Sequence, residues 1–94
     1  MSNQKTYNWN REKNELLKLE RSISFERIVF EIQDGNELKV TLHPNQEKYP
    51  GQKISEVVVD NYVYLVPFIE TDTEYFLKTI IPSRKATKQF RSKS

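Results

Sequence analysis

Arg84, Lys85 and Lys88 follow an apolar segment that ends in Ile80-Ile81-Pro82, and Lys78 lies within that segment. From Tyr75 to Ser94 the chain carries six basic residues (Lys78, Arg84, Lys85, Lys88, Arg91 and Lys93) and no Asp or Glu. All 13 acidic residues lie in the preceding part, so the formal net charge of +2 conceals a polarised chain. Such asymmetry points to a polyanionic partner. Lys53 adds a cation further upstream, and Tyr49, Tyr62, Tyr64 and Tyr75 are interspersed with this set. Guanidinium and ammonium groups hold phosphate through charge and hydrogen bonds, and aromatic faces stack unpaired bases. Cleaving RNA without a metal requires a cation where charge builds on the scissile phosphate. It also requires groups that move protons at the 2′-hydroxyl and the leaving oxygen. The plainer reading of each tyrosine is cross-strand packing, and that of the basic end is a solubilising tail. Ala86-Thr87 and Phe90 interrupt the charges at a spacing that would dock a helix, which favours an ordered segment.

Other chemistries lack their residues. The chain has no Cys, which removes disulfides, thiolate metal sites and thiol catalysis. A single histidine, His43 before Pro44, offers neither a His-rich metal cluster nor a Ser-His-Asp arrangement, and reads first as an exposed loop residue. Two glycines cannot build a glycine-rich phosphate loop. The acidic residues are scattered on helical faces, as solvated surfaces are. No apolar run approaches the roughly 20 residues of a membrane span. The polar start, MSNQKTYNW, has no apolar signal-peptide core. A cytoplasmic protein is expected, with no cofactor and no membrane partner.

The elements that would position these residues follow from periodicity. Ninety-four residues suit one domain, 1–94, with one modest core and loose ends at 1–5 and 91–94. Tyr7 and Trp9 share a face at period two, predicting a short strand over Thr6–Trp9. Asn10 is placed to cap a helix over REKNELLKLER, with Glu12 in its first turn and an apolar stripe of Leu16 and Leu19 widened by Leu17. Ser24 caps a second helix, FERIVFEIQ, in which Phe25, Ile28, Val29 and Ile32 recur at helical spacing, and Gly35 supplies a left-handed C-cap. The short link Arg21-Ser22-Ile23 makes the two helices neighbours.

From Leu38 the period changes to two. Leu38, Val40 and Leu42 alternate with polar residues, predicting a strand with one wet face. His43–Gln52 reads as a loop long enough to carry function. Lys53–Asp60 and Tyr62–Ile69 are the next strands, joined at Asp60-Asn61, and Pro67 predicts a bulge or an end to pairing. Thr71-Asp72-Thr73 turns the chain into a last strand, Tyr75–Ile81. Ser83 then caps a turn or two of helix from Arg84 to Phe90. The expected fold is α+β: a short strand, two helices on an antiparallel sheet of about four strands, and a short C-terminal helix.

Three stretches resemble one family. Tyr7-Asn8-Trp9-Asn10 with Glu12-Lys13-Asn14 is similar to the opening F-x-W-D and following K-x-x-x-N of BrnT-type toxins. These belong to the RelE-like ribonuclease toxins of bacterial type II toxin–antitoxin modules. Ile23-Ser24-Phe25-Glu26 with Val29-Phe30 resembles the family's V-S-F-E-E-A-x-x-V-F helix. Ile80-Ile81-Pro82-Ser83-Arg84-Lys85-Ala86-Thr87 is close to its terminal I-I-S-A-R-K-A-T. Arg21-Ser22 replaces the family's His-Gly between the helices, and Thr79 stands where the family often has Arg. That arginine's phosphate contact is then either absent or passed to Lys78 or Lys53.

The resemblance implies a RelE-like fold and a metal-independent endoribonuclease neutralised by a cognate antitoxin, with the active groove on the sheet's open face. On that reading the catalytic candidates are Arg84 and Lys85 for transition-state charge, Lys53 at the phosphate, and Tyr64 or Glu47 for protons. Lys78, Lys88, Arg91 and Tyr62 are the RNA-binding candidates, and no residue is assigned to a metal. The rival reading is a non-catalytic RNA- or protein-binding module on the same scaffold. A small-molecule enzyme ranks last, because no pocket motif is visible.

Overall fold

The computed structural model describes residues 5–93, so the expectation of loose ends at 1–4 and at 94 lies outside the described residues. The chain runs β1 (Thr6–Trp9), α1 (Arg11–Arg21), α2 (Phe25–Gln33), β2 (Glu37–Leu42), β3 (Lys53–Val59), β4 (Tyr62–Glu70), β5 (Glu74–Leu77), β6 (Ile81–Pro82) and α3 (Arg84–Ser92). The strands make one sheet in the order β1-β5-β4-β3-β2, with β6 paired to β4.

The sheet is mixed, which corrects the expected antiparallel sheet of about four strands. β2 to β5 form the antiparallel meander, and β1 adds to its far edge parallel to β5, with Tyr7 opposite Tyr75 and Trp9 opposite Leu77. A four-residue strand cannot bury its own apolar side, so it joins an existing edge. There Tyr7 stacks on Tyr75 at 5.0 Å and Trp9 on Phe25 of α2 at 5.6 Å. Lys5, expected to be loose, pairs with Glu70, and Arg91 and Ser92 complete α3.

Both N-terminal helices start on the expected caps. Asn10 accepts from the Lys13 amide at 2.9 Å, and Ser24 accepts from the Arg27 amide at 3.1 Å. Gly35, with φ +90°, follows α2 in the left-handed conformation that reverses the chain without a Cβ penalty. α2 buries Phe25 and Ile28 completely, with Val29 and Ile32 packed beside them. α1 departs from expectation. Leu17 is 1% exposed, while Leu16 and Leu19 are 50% and 83% exposed.

The buried side of α1 is set by Asn14 rather than by a leucine stripe. Its Oδ1 accepts from the Phe25 amide at 2.8 Å and its Nδ2 donates to Glu26 at 2.8 Å. One buried amide therefore satisfies an orphan donor at the start of α2 and locks the two helices together. Asn14 and Leu17 lie on the same face one turn apart, which turns Leu16 and Leu19 outward.

The expected two-residue turn joins β3 to β4. Asp60 and Asn61 have φ +51° and +64°, the left-handed pair that a type I′ hairpin requires. Register divides the sheet into two faces. Ser55, Val57 and Val59 sit opposite Val66, Tyr64 and Tyr62 on the face that α1 and α2 cover. Ile54, Glu56 and Val58 sit opposite Pro67, Leu65 and Val63 on the other face.

The expected strand Tyr75–Ile81 is split. Phe68 pairs with Leu77, but Leu65 pairs with Ile81, so three steps along β4 match four on its partner. The extra residue is a bulge opposite Pro67, whose missing N–H cannot continue the ladder. β2 also differs: its register slips between Glu37 and Lys39, and all six residues are exposed. As an outer edge that α1 and α2 do not cover, it leaves Leu38, Val40 and Leu42 at the surface.

Asn14→Ala should cost about 2–3 kcal/mol, because the Phe25 donor is stranded in the core. In a thermal melt that lowers Tm by roughly 10–20 °C for a domain of this size. The Glu26 carboxyl is held below its usual range, first by the Asn14 amide and then by a backbone N–H. A depressed carboxylate stabilises the fold above its unfolded value and loses that contribution as pH falls through the folded one. Acid unfolding of Glu26→Gln should therefore depend less on pH below about 4.5 than that of wild type.

Candidate nucleic-acid interface

α3 is a basic helix built against the local rules of helix stability. Its first turn carries Arg84 and Lys85 and no acidic residue, although the positive end of a helix dipole disfavours cations. Nothing local compensates: among the described residues Arg84, Lys85 and Lys88 form no ion pair. Sites that break local rules in this way are where function is to be sought.

The helix is nevertheless held firmly. Ser83 caps it, accepting from the Ala86 amide at 3.1 Å, and Ala86 and Thr87 are buried. Thr87 Oγ1 accepts from the buried Val63 amide at 2.8 Å and donates to the Ser83 carbonyl at 2.7 Å. The Ser83 amide donates to the Val63 carbonyl at 3.0 Å, so both backbone groups of Val63 are tied to the start of α3. At the other end Arg91 donates to the Asn61 carbonyl at 3.2 Å.

This docking places α3 beside the face that α1 and α2 leave open. Between them runs a groove of about 300 Å³, lined by Leu38, Lys39, Glu56, Gln89, Phe90 and Lys93. It continues past Leu65, Ser83 and Lys85. Lys85 and Gln89 are one turn apart on the groove side, whereas Arg84, Lys88 and Arg91 recur at i, i+4 and i+7 as an outer basic row. Glu56 is the carboxylate in the groove, mostly buried, with Lys39 across the strand pair at 3.7 Å. Sequence reasoning did not single out Glu56 or Lys39. Only the register slip in β2, which sets Lys39 opposite Glu56, brings them to Lys85, and no local pattern announces it.

The remaining candidates lie elsewhere. Tyr62 and Tyr64, ring centres 5.6 Å apart, project from the helix-covered face, where Tyr64 borders a cleft with Ser24, Arg27 and Asp60. Lys53 shares that face and pairs with Glu70 at 3.0 Å, and Lys5 binds the same carboxylate. These two lysines hold the Glu70 carboxyl below its ordinary value. Glu47 sits in the His43–Gln52 loop. That loop is at the far end of β3 from the Asp60-Asn61 turn, about 20 Å away at 3.3 Å per residue. Lys78 is exposed at the bulge, its ammonium 5.5 Å from the centre of the Phe76 ring. The structure thus gathers Arg84, Lys85, Lys88 and Arg91 on one helix, and separates Lys53, Tyr62, Tyr64 and Glu47 from it.

Among the described residues no group of three or more His, Asp or Glu gathers as metal ligands do. No helix there is long and apolar enough to cross a membrane.

The position of α3 depends on a hydroxyl. Thr87→Val keeps the shape but strands the Val63 amide, a loss of about 1–3 kcal/mol. Hydrogen exchange should show earlier opening of Arg84–Ser92 than of α2 in this variant.

Comparison with protein-family models, with curated proteins and with solved structures finds no match to this chain.

Proposed function

We propose that this protein binds RNA along α3 and the adjoining groove and cleaves it by a metal-independent route, as a toxin held in check by a cognate antitoxin. The observation that carries the RNA reading is the set Arg84, Lys85 and Lys88, without ion pairs among the described residues, on a helix docked beside a groove that contains a carboxylate. The toxin and antitoxin roles rest on the resemblance of Ile80–Thr87 and the two upstream stretches to BrnT-type toxins.

The chemistry assigns one role to each group. Arg84, Lys88 and Arg91 hold backbone phosphates as an outer row. Lys85 faces the groove and stabilises charge on the scissile phosphate. Glu56 takes the proton from a ribose 2′-hydroxyl, whose oxygen attacks the adjacent phosphorus. The bond to the 5′-oxygen breaks, that oxygen takes a proton from solvent, and a 2′,3′-cyclic phosphate remains. Glu56 thereby takes the role that the sequence reading gave to Tyr64 or Glu47.

A second reading, RNA binding without cleavage, draws on the placement of Tyr64 on the face of the sheet opposite the α3 groove and of Glu47 in the loop at the far end of β3. One experiment separates the two. Purified protein is mixed with single-stranded RNA, and binding and strand scission are followed for wild type, Arg84→Ala/Lys88→Ala and Glu56→Gln. Losing two phosphate contacts should flatten the slope of log affinity against log salt by about 1.4, at roughly 0.7 per contact on single strands. Glu56→Gln should keep binding and lose cleavage by about 10²–10⁴-fold. Binding by wild type without scission selects the binding module, and no binding removes both readings. Induced expression in a bacterial host, read as growth arrest with RNA decay, tests the toxin role.

A further inference from the structure

A second concavity lies on the opposite face of the sheet from the α3 groove. α1 and α2 cover only part of their face, and beyond Ile32 the sheet opens into a pocket of about 170 Å³. A cavity of about 150 Å³ with apolar walls is large enough to take up a benzene ring. Tyr7, Phe68 and Tyr75 supply aromatic walls and Val40 an aliphatic one, with the buried Ser55 hydroxyl on the floor.

Charge at the mouth is divided unevenly. Glu70 also lines the pocket, but Lys5 and Lys53 both bind it. The second carboxylate, Glu37, accepts only the neutral Ser55 hydroxyl on one oxygen and has no cationic partner among the described residues. A lone carboxylate beside aromatic faces attracts an organic cation through charge and through the ring quadrupoles. The Lys5 ammonium, bound to Glu70, already sits 5.4 Å from the centre of the Tyr75 ring.

We infer that this pocket binds a small ammonium compound with a single-ring or short-chain apolar tail, the tail between Tyr7, Phe68 and Tyr75 and the ammonium on Glu37. A tail of this size fills the apolar volume, and the ammonium gives Glu37 the charged partner that the described residues do not supply. The Tyr7 hydroxyl is held above its usual value by burial and then by Glu37, which agrees with a carboxylate close to a sheltered ring. The site is separate from the α3 groove, so this inference stands whether or not the protein cleaves RNA.

Benzylamine is the probe, with benzyl alcohol and benzoate as neutral and anionic matches of the same shape. Titration is followed by amide chemical shifts of the intact protein. Benzylamine should move the signals of Tyr7, Val40 and Ser55, and bind at least tenfold more tightly than either match, a difference of about 1.4 kcal/mol. Glu37→Gln should weaken benzylamine about tenfold and leave benzyl alcohol unchanged. Val40→Trp, at an exposed strand position, fills the pocket from the side and should abolish binding while the fold persists. The inference is overturned if benzylamine leaves the pocket signals unmoved at concentrations on the order of 10 mM. It is overturned equally if the three probes bind alike, or if Glu37→Gln binds benzylamine as wild type does.

Discussion

The missing amide hydrogen of Pro67 shapes more of this molecule than any single contact. The Pro67 carbonyl still accepts from Lys78 at 2.8 Å, but the residue can return no hydrogen bond to the neighbouring strand. The partner chain must therefore gain a residue before pairing resumes at Leu65 and Ile81. The slip drives Ile80 fully into the core and leaves its carbonyl to the Arg21 guanidinium at the end of α1, at 2.5 Å. It also delivers Ser83 to Val63, where α3 begins. A defect in one central strand thus couples the N-terminal helices to the basic C-terminal one.

Polar groups of modest size specify how the layers meet. Asn14 welds α1 to α2, and Thr87 welds α3 to β4, each by a buried side chain bonding in two directions. Apolar packing around Phe25, Ile28, Val57 and Val66 contributes the bulk of the burial but little directional information. The two welds leave little freedom in where the helices sit, and with them the charges that the helices carry.

The two faces of the sheet consequently differ in character. The face under α1 and α2 is a packed core that opens at one end into a small aromatic pocket with Glu37 at its mouth. The other face is partly screened by α3 and forms an open groove in which a carboxylate and lysines converge. Arg84 and Lys88 form no ion pair among the described residues, and the nearby carboxylate, Glu56, is engaged with Lys39 across the strands.

Local chemistry determined much of the architecture. Caps at Asn10, Ser24 and Ser83, the left-handed Gly35, the turn at Asp60-Asn61 and the break at Pro67 all act within a few residues, so they were legible in the sequence. The basic character of 75–94 and the docking of Ala86 and Thr87 were legible for the same reason. Periodicity alone did not determine which side of α1 is buried, because a polar Asn14 outranked two leucines once Phe25 needed an acceptor. Nor did it determine that β1 closes the sheet in parallel, or that Lys39 and Glu56 meet Lys85. Those are juxtapositions between residues up to dozens of positions apart, decided by strand register and by a one-residue slip. A slip of one residue moves a side chain to the other face. Only the assembled tertiary structure settles where it falls.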